Sequence, residues 1–276
     1  MSGQAPHLTS VRVTPAVAIV ASSIAAATVL ETLTPHYFVS GDTVAIAGHV
    51  GSTPAVDGTR VVTVIDALHV SIPVAVTIAG TGGTITRTIA VEPLTLADGK
   101  LRAGLEWVDG DPRDALMRGF IQMARSQVQR DTGVVPLLET YDVFFDALPS
   151  PIVLPWRPVA ALTSIASIDS AGVVNTLGVT NYHLDPGSDA PVPARVGLAD
   201  LGAWPTDLRS FQPYVLRIVV GYASIALIPP WVVHAVGLLT AHYATLGRDL
   251  ASLTPAERVP YGYEDAISGS RLVVVA

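Results

Sequence analysis

Residues 1–90 are patterned with a period of two. The stretch "DTVAIAGH" (Asp42–His49) alternates polar and apolar positions. "RVVTVIDALHVSIPV" (Arg60–Val74) is rich in β-branched residues around a turn at Asp66-Ala67. Further turn signals stand at Ser40-Gly41, Asp57-Gly58 and Gly80 to Gly83. Short strands at such regular spacing predict a small all-β barrel or sandwich.

After Val91 the period changes. "PLTLADGKLRAGLEW" opens with Thr95 three residues before Asp98, a capping-box-like start. Gly99 and Gly104 each weaken that helix by about 1 kcal/mol relative to Ala. "DPRDALMRGFIQMARSQVQRDTG" is a stronger helix: Asp111 can cap, Pro112 suits the first position and Gly133 suits the stop. Met117, Phe120, Ile121, Ala124 and Val128 fall on one face, with Arg118, Arg125 and Arg130 off it. Strands are predicted over Leu137–Ala147, Ile152–Leu154, Val159–Ile168, Val173–Leu177 and Val215–Tyr222, with a hairpin turn at Asp169 to Gly172. A last, almost wholly apolar helix runs from Pro229-Pro230 to about Arg248. The fold class is therefore α+β. A small β accessory domain (1–90) precedes an α-helical domain (91–276) with a β-hairpin and strand insertion and a C-terminal tail (249–276).

Composition narrows the function. The chain has 276 residues, half of them apolar and 14% charged, which suits packed cores and argues against disorder. Cysteine is absent, so disulfides, thiolate metal sites and cysteine nucleophiles are excluded. A net charge of −7 disfavours groove binding to duplex DNA and leaves an acidic wall past which DNA slides not disfavoured. Lys100 is the only lysine, which reads as composition bias. Val13 to Leu30 is the one candidate targeting or membrane run. Its Pro15, Ser22, Ser23 and Thr28 make two short strands and a turn the better reading.

Little chemistry is on offer. "DGDPRD" places carboxylates at Asp109, Asp111 and Asp114, yet lacks the glycine and terminal glutamate of a calcium loop, so helix capping is the reading. "AGTGGT" (Ala79–Thr84) lacks the lysine of a phosphate loop and reads as a turn. His234 and His242 sit roughly 80° apart around the last helix, not at the spacing of metal ligands. His36, His49, His69 and His183 form no recognisable cluster. Asp142, Asp146, Asp169 and Asp185 are left as acids that a fold can bring together. No catalytic, cofactor-binding or metal residue is nominated, and no cofactor is expected.

Five stretches in order then carry a resemblance: "EPLTLADGKLRAGL"; "DALMRGFIQMARSQVQRDTG"; "LETYDVFFDALPSPIVLPWRPVAALTSIASIDSAGVVNTL"; "NYHLDPGSDAPVPARVGLADLGAWP"; and "YVLRIVVGYASIALIPPWVVHAVGLLTAHY". From about Val91 onward the chain resembles the head–tail connector (adaptor, head-completion) proteins of long-tailed bacteriophages. Residues 15–88 resemble a small β-domain of phage structural proteins, usually linked to the first-catalytic-cysteine half-domain of ubiquitin-activating enzymes. That likeness rests on Pro35-His36, Gly41-Asp42, Val44, Gly48, Gly58, Val61–Asp66 and Gly82-Gly83. It implies a fold and no ubiquitin chemistry, since cysteine is lacking.

The connector resemblance implies a non-enzymatic virion protein of the neck, made in the host cytoplasm. It implies a dodecameric ring between the portal protein and the next neck, stopper or tail-completion protein. Double-stranded DNA would pass through the lumen without sequence-specific binding, and no membrane partner is implied. Asp185, Asp189 and Asp200 are candidates for the channel wall; a wall of Arg195, Arg209 and Arg217 would oppose that. Leu272, Val273, Val274 and Val275 are candidates for portal contact by strand addition. An alternative is a decoration module that binds host surface or capsid through the β domain. Tyr37 and Phe38 are its only aromatics, too few for sugar stacking. Deleting Leu272–Ala276 is expected to weaken portal attachment; a pull-down on immobilised portal checks this, and unchanged capture would refute the strand-addition role.

Overall fold

The computed structural model describes residues 8–108, 110–147, 151–186, 193–199, 204–246 and 261–270. The first strand, β1 (Leu8–Val13), stands apart from the seven that follow: β2 (Val17–Ser22), β3 (Thr28–Thr32), β4 (Thr43–Ala47), β5 (Gly58–Val61), β6 (Thr63–Val64), β7 (His69–Ile72) and β8 (Thr84–Ile89). These seven form one antiparallel sheet in the order β5-β4-β8-β2-β3-β7-β6. Its two outer strands are separated along the chain by Val62 alone. The sheet therefore curls until its ends meet, and the Val62 amide and carbonyl bond to Asp42 and Gly41. Inward positions alternate as the sequence predicts, and Leu30, Val44, Val56, Val62, Val70 and Ile85 are fully buried in one core. Each such side chain contributes roughly 1.5–3 kcal/mol on burial.

The helical half begins with α1 (Leu96–Arg102) and α2 (Arg113–Thr132). Thr95 Oγ1 accepts the Asp98 amide, as the cap pattern predicts. Gly99 is not merely a weak helix former: a Cβ there would lie 3.1 Å from Ile121 Cδ1, so the glycine lets α1 press on α2. Pro112, not Asp111, takes the N-cap position of α2, while Asp111 Oδ1 accepts the Arg113 amide. Gly133 closes α2 in the left-handed conformation. Met117, Ile121, Ala124 and Val128 are buried as expected, and Phe120 is half-buried.

Seven strands follow: β9 (Glu139–Phe145), β10 (Ile152–Leu154), β11 (Val159–Ile168), β12 (Val174–Thr176), β13 (Tyr182–Asp185), β14 (Ala194–Leu198) and β15 (Tyr214–Val220). One sheet runs β1-β9-β15-β11-β12 and a smaller one runs β10-β14-β13. β13 and β14 are not among the strands predicted from sequence. Their alternation (Tyr182, Leu184; Ala194, Val196) is only two inward residues long and is hidden among Pro, Gly and Asp. Val143, Phe145, Leu216 and Ile218 meet Ile152, Leu154 and Val196 between the sheets. On the other face, Ala161 and Val219 meet the helices.

The chain ends its described course in α3 (Pro230–Leu246) and α4 (Tyr261–Ile267). α3 is apolar almost all round because α1, α2 and α4 pack against it. Part of the stretch read as a tail is thus integral: Tyr263 and Ile267 of α4 are fully buried in the helical core. Seven residues are too few for a helical period to register. The 1–90 segment is likewise not self-contained, since β1 pairs with β9 through all six of its residues. Among the described residues no helix is long and apolar enough to cross a membrane.

The turn from β15 toward α3 depends on Gly221. Its φ is 113°, and a Cβ there would lie 2.3 Å from the Leu137 carbonyl oxygen. Gly82, with φ 73° and nothing within 4 Å, is the control. Gly221→Ala is expected to cost about 4 kcal/mol or more, and Gly82→Ala about 1–2 kcal/mol, as read from urea unfolding midpoints.

Candidate functional site

Among the described residues, polar side chains gather at several places. The first is the joint between the barrel and the rest. Arg87 of β8 is largely buried and lies over the Phe38 ring. Its Nε stands 2.7 Å from Asp42 Oδ2, and its two terminal nitrogens donate to the carbonyls of Leu138 and Tyr37. Burial lowers its pKa, and Asp42 opposes that shift. Asp42, 1% exposed, also accepts the amides of Val39 and Val91. One ion pair thereby ties a barrel loop, the exit segment and the approach to β9.

Beside it lies a cleft of about 410 Å³ lined by Arg12, Arg125, Arg130, Gln129 and Trp156. Glu139 Oε1 meets Arg12 at 3.2 Å and Arg125 at 2.7 Å. Arg125 also reaches Glu92 at 2.9 Å. The Tyr141 hydroxyl donates to Glu139 at 2.6 Å and accepts from Gln129, while its ring stacks on Trp156. Burial raises the Glu92 carboxyl, and burial together with Glu139 raises the Tyr141 hydroxyl. Glu139 and Glu92 balance Arg12 and Arg125 as an electrostatic brace, while Arg130 on the cleft wall donates to Gln127 Oε1.

The third place is the corner between α1 and α2. Asp114 Oδ1 receives Lys100 Nζ at 2.8 Å and the Trp107 indole N–H at 2.7 Å, and Oδ2 receives the Gly110 amide. Lys100 and Arg113 stand 5.3 and 4.6 Å from the Trp107 ring centroid. The lone lysine, read from sequence as composition bias, is 5% exposed and holds this corner together. Next to it, Leu116 and Phe120 border an apolar cavity of about 110 Å³.

Resemblances to catalysis dissolve in the geometry. His49 Nε2 lies 3.0 Å from Ser22 Oγ, a pair that sequence spacing did not suggest. Both are 6% exposed, Ser22 Oγ accepts the Gly80 amide, and His49 Nδ1 meets the Gly82 carbonyl. The pair staples the glycine-rich turn inside the barrel. His36 is buried against Phe38, accepts that residue's amide at Nδ1, and titrates lower because of burial. His234 is exposed and His242 lies beside Tyr243, eight residues along α3. Among the described residues no group of three or more His, Asp or Glu is placed to hold a metal ion.

The acids left open by the sequence do not converge. Asp142 pairs with Arg217, Asp146 accepts the Gln212 amide, and Asp169 caps the β11–β12 hairpin. Asp185, at the end of β13, pairs with Arg195 at 2.8 Å across to β14. Arg209 donates to the Gln212 carbonyl. Two nominated acids and two nominated arginines thus neutralise each other. Asp109, Asp189, Asp200 and Leu272 to Val275 lie outside the described residues.

No protein-family profile and no curated protein matches this chain. Solved structures do. One chain comes from the neck of an empty gene transfer agent (GTA) particle computed with C6 symmetry: 23% identity, TM-score 0.55, covering 68% of this chain and 95% of that one. Another comes from the virion of a native GTA particle: 23% identity, TM-score 0.54, covering 67% and 92%. At this identity the likeness is one of fold.

The α1–α2 corner makes a pH prediction. Hydrogen bonds from Lys100 and then Trp107 lower the Asp114 carboxyl from 3.8 to about 2. A lowered folded-state value means stability that is full above the ordinary value and lost as pH falls through about 2. Wild type is expected to lose stability over Asp114→Asn between about pH 4 and pH 2. Urea midpoints measured across that range check it; a constant difference would contradict it.

Proposed function

We propose that this chain is a structural, non-enzymatic ring subunit in the neck of a tailed phage or phage-like particle. The observation that carries the reading is the shared fold: a neck-particle chain is matched over 95% of its length. The resemblance in sequence from Val91 onward points the same way.

In this reading copies close head to tail into a dodecameric ring between the portal and the next neck protein. Heterologous contacts of this kind generate rings when the rotation closes. Duplex DNA passes along the axis. A ring of chains each carrying −7 repels phosphate, so DNA slides without specific contacts. Asp189 and Asp200 remain candidates for that wall, whereas Asp185 has its charge offset by Arg195. Leu272 to Val275 remain candidates for portal contact. In this reading the barrel projects outward as an appendage, and the buried Arg87–Asp42 pair supports a fixed mount.

Imaging intact particles with gold-labelled antibody raised against the barrel tests the reading. Label confined to the neck is expected. Label over the capsid or at the tail tip would replace the neck role with decoration or host binding.

A further inference from the structure

β1 is the outer strand of the five-stranded sheet. It pairs with β9 on one side, and among the described residues no strand meets its other side. In an antiparallel pair every second residue turns its amide and carbonyl away from the partner strand. β1 thus presents a row of backbone donors and acceptors along its open side.

Native sheets blunt such an edge by keeping it short, by placing lysine, proline or a bulge on it, or by covering it. The opposite edge, β12, is three residues long. β1 has six, its register with β9 runs without a shift, and its sequence LTSVRV holds neither lysine nor proline. Its one charge, Arg12, turns to Glu139. Val11 is 49% exposed. Of the protections open to an edge strand, a covering segment is the one left.

We propose that the chain's own C-terminus is that segment: Leu272 to Val275 pair with the open side of β1 in the unassembled subunit. The described residues end at Ser270, close to β1. The Ser270 carbonyl accepts from Arg157 Nη2, which also donates to the Thr132 carbonyl. The residues next to those two partners, Trp156 and Gly133, line the cleft whose wall includes Arg12 of β1. Trp156 stacks on Tyr141, and Tyr141 is paired with Arg12. Six residues follow Ser270, with an extended reach of about 20 Å. Paired strands lie about 4.8 Å apart.

The segment has the matching character. Leu-Val-Val-Val is an uncharged run of residues that suit a strand. On a strand, Leu272 and Val274 take one face of the sheet, and Val273 and Val275 the other. One of those two pairs then shares the face of Val11. The inference concerns the free chain and does not depend on the neck reading. A strand held on β1 has to leave it before it can contact a portal.

The chain has no cysteine, so engineered thiols report cleanly. Val11→Cys is combined in turn with Leu272→Cys, Val273→Cys, Val274→Cys and Val275→Cys, and each dilute monomer is oxidised. Disulfides within one chain are expected only for alternate members of the series, because a strand's side chains alternate between faces. Closure without alternation, or no closure, would overturn strand pairing. Disulfides that join two chains would overturn the same-chain occupant. Thermal melts verify that each variant folds. In parallel, hydrogen exchange is compared between the full chain and a chain ending at Ser270. The β1 amides directed away from β9 are expected to exchange about tenfold faster in the shorter chain, and those bonded to β9 at an unchanged rate. Equal exchange of the outward amides in both chains would also overturn the proposal.

Discussion

The buried pair of Asp42 and Arg87 is the interaction on which the architecture turns. Neither charge is tolerable alone at that depth: removing one partner of a buried pair typically costs about 3–5 kcal/mol. Together they satisfy the amides of Val39 and Val91 and the carbonyls of Tyr37 and Leu138. Those four groups come from the barrel, the exit from β8 and the segment before β9. The apolar side of the same joint is made by Val39 and Leu94 packing with Leu137 and Leu138 in the helical core. The barrel is therefore mounted, with no flexible link that lets it swing freely.

The brace beside it extends the same logic. Arg12 arrives on β1, Arg125 on α2, Glu139 on β9 and Glu92 on the segment leading to α1. Four elements distant in sequence are held by charges that cancel. The consequence for function is a division of labour: interior charges are consumed in fixing the scaffold, and exposed groups are left for other molecules.

Much of this was legible in one dimension. β10 and β11 fall at the predicted residues, and α2 ends at Gly133 as its sequence demands. Those elements have strong local causes: a run of β-branched residues, a heptad-like apolar face, a glycine free to adopt positive φ. The weak local signals were missed. β13, β14 and α4 are too short to establish a period, and they exist because Tyr182, Val196, Tyr263 and Ile267 find cores prepared by other segments.

The sequence by itself determined the two grammars, the α+β class, the exclusion of thiol chemistry and the order of motifs that resembles a connector. Each of these is a property of neighbours along the chain or of composition. Only the tertiary structure decided that β1 leaves the barrel for the second sheet, and that the lone lysine is buried against Asp114. It alone paired Asp185 with Arg195 and Asp142 with Arg217. A charge's role is fixed by the opposite charge a few ångströms away, and that neighbour arrives through space from ten to seventy-five residues along the chain.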